Sequence, residues 1–149
     1  MSHENRVSYT LDSTLETVNS AEATASQLAS DAGFADEDVM KIAMAVREAA
    51  VNAVLHGNAY DPGKKVKIEF EQTNRGLVIT IRDQGKGIDL NAIPDPTSPE
   101  NLLKTSGRGI FLIRSFMDEV EINPTTSGTE IKLIKHVQGT ASDGKEASQ

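Results

Sequence analysis

Glu48 and Asn52 stand four residues apart in the stretch Arg47 to Asn58, which reads Arg-Glu-Ala-Ala-Val-Asn-Ala-Val-Leu-His-Gly-Asn. Residues at i and i+4 share a helical face, so a carboxylate and a carboxamide would point the same way. Met40, Ile42, Ala43, Val46, Ala49, Ala50, Ala53 and Val54 surround them with apolar side chains on nearly every side. That is the pattern of a buried helix, and buried polar groups need partners. Two readings stand at this point. The pair is either the polar edge of a helix in solvent, since exposed Glu is ordinary, or a pair aimed at a metal ion and a reacting group.

Two further stretches carry chemistry. Asp83-Gln84-Gly85-Lys86-Gly87, followed by Ile88, comes directly after a strand-like run. A carboxylate at a strand end can accept a hydrogen bond from an amino group such as that of adenine. The glycines let the backbone approach a flat ligand with no Cβ in the way. Ser106-Gly107-Arg108-Gly109 then leads into a helical pattern; free N–H groups and the helix dipole favour an anion there. Taken singly, either stretch is as readily a plain turn.

The elements that must position these residues follow from periodicity. Arg6 to Leu11 alternates as a first strand. Ser13 or Thr14 caps a helix to about Ala32, stopped by Gly33, with Leu15, Val18, Ala21, Ala25 and Leu28 inward. A second helix opens at Asp36, where Asp36, Glu37 and Asp38 suit the positive end of the dipole, and ends near Gly57 before the turn Asp61-Pro62-Gly63. Lys65 to Gln72 and Gly76 to Asp83 read as a hairpin across Thr73-Asn74-Arg75. The Gly-, Pro-, Asn- and Ser-rich stretch from Asp83 to Gly109 is long for a compact domain, which usually marks function. Ile110 to Asp118 is helical, with Phe111, Leu112, Phe116 and Met117 available for the core. Glu119 to Ile122 and Thr129 to Ile134 form a last strand pair across Asn123-Pro124. Past Val137 the polar tail, residues 138–149, has no apolar pattern and is expected to be disordered. His56 reads as a capping side chain near the negative dipole end of its helix; His3 and His136 look incidental.

The 149 residues suffice for one domain with a real core. The absence of cysteine excludes a disulfide framework and a thiolate metal site. A net charge of -7 argues against direct nucleic-acid binding and leaves room for a basic protein partner. No run approaches a membrane span and no apolar export segment opens the chain, so a cytoplasmic location without membrane association is expected.

Taken in order, Glu-x-x-x-Asn on a helix, Asp-x-Gly-x-Gly after a strand, Gly-x-Gly opening a helix, and Ser127-Gly128-Thr129 resemble the GHKL ATPase superfamily of gyrases, chaperones, histidine kinases and mismatch-repair ATPases. Within it, the chain is most similar to anti-sigma-factor serine kinases of the RsbW and SpoIIAB type. Arg47 to Asn58, Ser106 to Ile110, Phe116-Met117-Asp118-Glu119-Val120 and Ser127 to Leu133 all fit that branch. The resemblance covers roughly Ser8 to Val137. It implies an α+β fold, a two-layer sandwich of the Bergerat ATP-binding type, with a mixed, mostly antiparallel sheet and helices on one face. Residues 1–137 would form the kinase domain.

The resemblance also implies roles. Asn52 would coordinate Mg²⁺, a hard ion that prefers oxygen ligands. Glu48 would be the catalytic base that orients or deprotonates the attacking hydroxyl. Asp83 would read the adenine amino group, with Gly85, Gly87 and Ile88 beside the base and Thr129 supporting the pocket. Gly107 and Gly109 would offer N–H groups to the phosphates of ATP. Lys104, Thr105, Ser106 and Arg108 would lie in the ATP lid, with Arg108 either a phosphate or partner contact or a solvated charge. The implied partners are a sigma factor and a STAS-type antagonist phosphorylated on serine, and the implied assembly is a homodimer.

Alternatives stay open at this level: a noncatalytic ATP-dependent binding module, or a histidine-kinase catalytic piece, against which no long helical pair with a phosphorylatable His precedes Glu48. One departure matters. The related kinases often use a basic side chain of the first helix to meet their partner, yet no Lys or Arg occurs between Leu11 and Met40.

Overall fold

The structure, a computed structural model, describes residues 6–85 and 105–137, and only the backbone of residues 105–108. The expected disordered tail, most of the Gly- and Pro-rich stretch, and the site candidates Gly87, Ile88 and Lys104 lie outside the described residues. In chain order the elements are β1 (Arg6–Asp12), α1 (Leu15–Asp31), α2 (Asp36–Val51) with a π-helical last turn (Asn52–Gly57), β2 (Lys65–Thr73), β3 (Gly76–Arg82), α3 (Thr105–Phe116), β4 (Glu119–Thr125) and β5 (Gly128–Lys135).

The strands form one sheet in the order β1-β2-β3-β5-β4. Every pairing among the described residues is antiparallel. Alternation along each strand sends one row of side chains to the helices. Register aligns Tyr9, Ile68, Ile81, Ile131 and Ile122 across all five strands, and Val7, Phe70, Ile79, Leu133 and Val120 beside them. Against these rows α1 buries Val18, Ala21, Ala25 and Ala29, and α2 buries Ile42, Ala45, Val46, Ala49 and Ala50. The alanines leave room for close helix approach, and each fully buried Ile or Leu contributes about 1.5–3 kcal/mol. The result is the expected α+β sandwich.

The opposite sheet face is held by charge. Arg6 and Arg82 lie 3.0 and 3.3 Å from Glu69, and Arg82 lies 2.8 Å from Glu130. Partial burial pushes the Glu69 carboxyl up, but Arg6, Arg82 and Lys67 outweigh it and hold it below the ordinary value.

Several expectations are corrected. Leu15 is 57% exposed, and Thr17 and Ala29 take inward places on α1 instead. Met40 and Phe111 are exposed, while Ile110, Ile113 and Met117 carry the buried side of α3. Thr14 is the cap, its Oγ1 accepting from the Thr17 N–H at 3.2 Å, and Ser13 turns elsewhere. β4 runs on through Pro124, which an edge strand tolerates because no ladder donor is needed on its outer side. His136 is not incidental: its Nε2 sits 2.7 Å from Glu119, which pulls that carboxyl below its usual range. No helix among the described residues is long and apolar enough to cross a membrane.

Candidate active site

The site is built along the C-terminal half of α2. Glu48 is half-buried and Asn52 is 4% exposed on the same face. Gly109 of α3 comes against both. A methyl group in place of its hydrogen would lie 3.2 Å from Glu48 Oε1 and 3.5 Å from both amide atoms of Asn52. The buried polar edge is therefore not a solvent-facing helix edge. Among the described residues the Asn52 amide nitrogen is buried with no hydrogen-bond partner, a state that costs about 1–3 kcal/mol unless something else bonds there.

At Asn52 the winding loosens into the π-helical turn, a feature frequent at functional sites. Its consequence is local. It brings Gly57 against Asp83, where an added methyl would stand 2.4 Å from both the carboxyl carbon and Oδ2. Two other glycines close around the same point, one on Asp83 and one on Gly57. A methyl at Gly128 would lie 1.9 Å from the Asp83 carbonyl oxygen, and one at Gly85 would lie 1.8 Å from the Gly57 carbonyl oxygen. Gly57, Gly85 and Gly128 are thus required where they stand, because three backbone segments converge with no room for a Cβ.

Asp83 itself is 8% exposed. Its Oδ1 accepts from the N–H groups of Gly85 at 2.9 Å and Thr129 at 3.2 Å. Among the described residues its Oδ2 takes no donor, which leaves an acceptor for an external amino group. Burial pushes the Asp83 carboxyl above its ordinary value, a shift only partly offset by those two N–H groups and by nearby Lys64. Thr129 is 2% exposed, and its hydroxyl is the second buried polar atom with no partner among the described residues. Both orphaned polar atoms therefore belong to residues proposed for one ligand.

Of the phosphate candidates, Gly107 falls in the first turn of α3, because the helix opens at Thr105 rather than at Ile110. The N–H groups of a first turn have no intrahelical acceptor, so the backbone of Thr105, Ser106 and Gly107 has donors available. Gly109 lies beyond that turn, and its contribution is close approach to Glu48 and Asn52 rather than a free N–H. Gly57, Gly128, Asn58 and Ser13 are contributors that sequence reasoning did not assign. The signal for the first two was the glycine itself, within His56-Gly57 and Ser127-Gly128-Thr129. His56 is exposed at the end of the π turn.

Residues 11–135 match the family model described as a histidine kinase-like ATPase domain. The chain belongs to that family. Its relatives include an anti-sigma F factor of Anoxybacillus flavithermus, 38% identical over 68% of this chain and 71% of that one. A serine-protein kinase RsbW of Halalkalibacterium halodurans is 31% identical over 93% of this chain and 88% of that one. The family's fold recurs in the solved structure of the RsbU and RsbW domains of a Mycobacterium tuberculosis protein. There the TM-score is 0.64 at 20% identity, covering 88% of this chain and 32% of that longer chain. It recurs again in a blue-light activated histidine kinase domain of Erythrobacter litoralis, with TM-score 0.55 at 19% identity, over 76% of this chain and 51% of that one. Membership in this ATPase family implies that the chain uses ATP.

Proposed function

We propose that ATP lies along the C-terminal half of α2, its base at Asp83 and its phosphates beside Glu48, Asn52 and the start of α3. The chain is a serine-protein kinase of the anti-sigma-factor type, as its relatives' names and the family match support. One observation carries the residue assignment: a single helix touches Gly109 through Glu48 and Asn52, and touches Asp83 through Gly57. Nine residues of helix at about 1.5 Å each separate those ends by about 13 Å, a distance suited to an extended nucleoside triphosphate.

Asn52 carries the hard amide oxygen that a Mg²⁺ ligand needs, while its unpartnered Nδ2 is a donor suited to a phosphate or water oxygen. Among the described residues no group of three or more His, Asp or Glu could hold a metal alone. A Mg²⁺ ion would take its remaining ligands from phosphates and water, and when bound it supplies neutralisation of phosphate charge. Glu48 accepts the proton of a seryl hydroxyl as its oxygen bonds to the γ-phosphorus and ADP leaves. The first-turn N–H groups of α3 hold phosphate oxygens.

The partners fit a switch. The chain holds a sigma factor in the ATP state and phosphorylates a serine of a STAS-type antagonist in the cytoplasm. The added phosphate carries about -1.5 to -2 charges, which weakens rebinding to a chain of net charge -7. Because α1 carries no Lys or Arg, and Met40 and Met44 are exposed at the start of α2, the partner's matching surface is basic and apolar. Among the described residues β1 is an edge strand of the sheet, an edge that invites a second chain, and a homodimer is the assembly to look for by sedimentation.

The test is phosphate transfer from ATP to a seryl antagonist. Glu48→Ala should retain ATP binding and lose transfer by roughly 10²–10⁴-fold, the usual share of a positioned base. Transfer at the wild-type rate would make Glu48 a structural carboxylate.

A further inference from the structure

Asn58 is 1% exposed, as buried as any core side chain, although it is a carboxamide at a helix end. Its Nδ2 donates to Ser13 Oγ at 2.8 Å and to the Lys65 carbonyl at 3.0 Å, and its Oδ1 accepts from the Gln84 N–H at 2.7 Å. The clasp is closed by neighbours: Ser13 Oγ donates to the Lys64 carbonyl at 2.6 Å, and the Lys65 N–H donates to Gln84 Oε1 at 2.5 Å. One side chain thus ties the end of α2, the loop before α1, the start of β2 and the loop after β3.

The backbone is bent to allow this. Ala59 and Tyr60, immediately after Asn58, have φ of 51° and 59°. Two successive non-glycine residues in the left-handed region are uncommon, and such conformations persist where surrounding contacts over-determine them. The Asn58 side chain holds the bend together with backbone bonds from the Tyr60 N–H to the Val54 carbonyl and from the Asp61 N–H to the Asn58 carbonyl, both at 2.9 Å.

We propose that Asn58 is a positioning residue for base selection, fixing the aim of the Asp83 carboxylate through the Asp83–Gln84 peptide. The inference rests on the reading of Asp83 as the adenine contact. Adenine presents an amino donor where guanine presents a carbonyl oxygen. A carboxylate held in place accepts from the first and repels the second. A carboxylate free to swing loses that preference without being removed. Asn58 touches no nucleotide in this account; it acts through Gln84 and Asp83.

The experiment compares ATP and GTP affinities by calorimetry in the full chain, for wild type, Asn58→Ala, Ser13→Ala, Asp83→Asn and the Asn58→Ala/Asp83→Asn double variant. Asn58→Ala should lower the ATP-over-GTP preference by roughly five- to tenfold, the size of one hydrogen bond. Ser13→Ala, which removes one partner of the same amide and leaves the Gln84 bond, should lower it by a smaller factor in the same direction. It also serves if Asn58→Ala fails to fold. With Asp83 already replaced, Asn58→Ala should change the preference by less than about twofold, because the group it aims is gone. A wild-type preference in Asn58→Ala and Ser13→Ala, with only the melting temperature lowered, would overturn the inference and leave Asp83 standing. An equally large loss in the Asp83→Asn background would overturn it too. Wild-type protein indifferent to the base would sink the Asp83 reading itself, and Asn58 with it.

Discussion

The two ends of the site are built on opposite principles. At the Asp83 end, backbone closes on the carboxylate from three sides, and Gly57, Gly85 and Gly128 exist because a single methyl would collide with it or with its support. At the Glu48 end, a half-buried carboxylate and a buried amide with an unpartnered nitrogen face the start of α3. There a methyl on Gly109 would only touch them, at 3.2–3.5 Å. The first arrangement fixes an acceptor, which suits the proposed recognition of a base. The second leaves polar groups with bonding capacity to spend on phosphate, metal and an incoming hydroxyl. In the proposed reading selectivity and chemistry are separated along one helix, whose π-helical last turn ends with Gly57 against Asp83.

That contrast can be broken from either side, and the largest effect on binding is expected at Gly57. Gly57→Ala forces its Cβ into the Asp83 carboxylate, adding an overpacking cost of about 1–3 kcal/mol to the loss of the base contact. ATP affinity measured by calorimetry should fall by more than it does in Asp83→Asn. Asp83→Asn keeps the shape and replaces an acceptor by an amide that can turn a donor toward adenine's donor, costing about 1–3 kcal/mol of binding.

The same carboxylate sets a pH dependence whose sign follows from its raised value. Protons bind more tightly to Asp83 in the folded chain than in the unfolded one. Nucleotide-free stability from this group is therefore full below the ordinary aspartate value and lost as pH rises through the raised one. ATP binding runs the other way, because only the ionised carboxylate accepts from the base. Affinity should weaken as pH falls through the raised value, at a pH above that of an exposed aspartate, and Asp83→Asn should lack that limb of the profile. The smallest effect belongs to Gly109→Ala. It should leave ATP affinity near wild type and slow transfer by about three- to tenfold, since small misplacements at a reacting centre are felt in rate.

Much of this was legible in the residues. Alternation at Val66, Ile68 and Phe70, and at Leu77, Ile79 and Ile81, gave the central hairpin, and the four-residue spacing of Glu48 and Asn52 put both on one face of α2, against Gly109. What stayed hidden has physical causes. Apolar type does not guarantee burial, which is why Leu15, Met40 and Phe111 turned out exposed. Two glycines inside its first turns, each poor in helix propensity, concealed the start of α3 at Thr105. The supports of Asp83 come from Ser13, Gly57, Asn58 and Gly128, distant in sequence, and their role is a close approach that no local pattern encodes. Asn58 in particular reads as an ordinary residue at a helix end until Ser13, Lys65 and Gln84 are seen around it.

Whether one end of the helix binds and the other reacts is decided by calorimetric titration of Mg²⁺ and ATP into Glu48→Ala and Asp83→Asn side by side. If that division holds, Glu48→Ala keeps the wild-type affinity within about twofold while Asp83→Asn loses roughly tenfold or more. The reverse order, with Glu48→Ala weakened and Asp83→Asn unchanged, would contradict it.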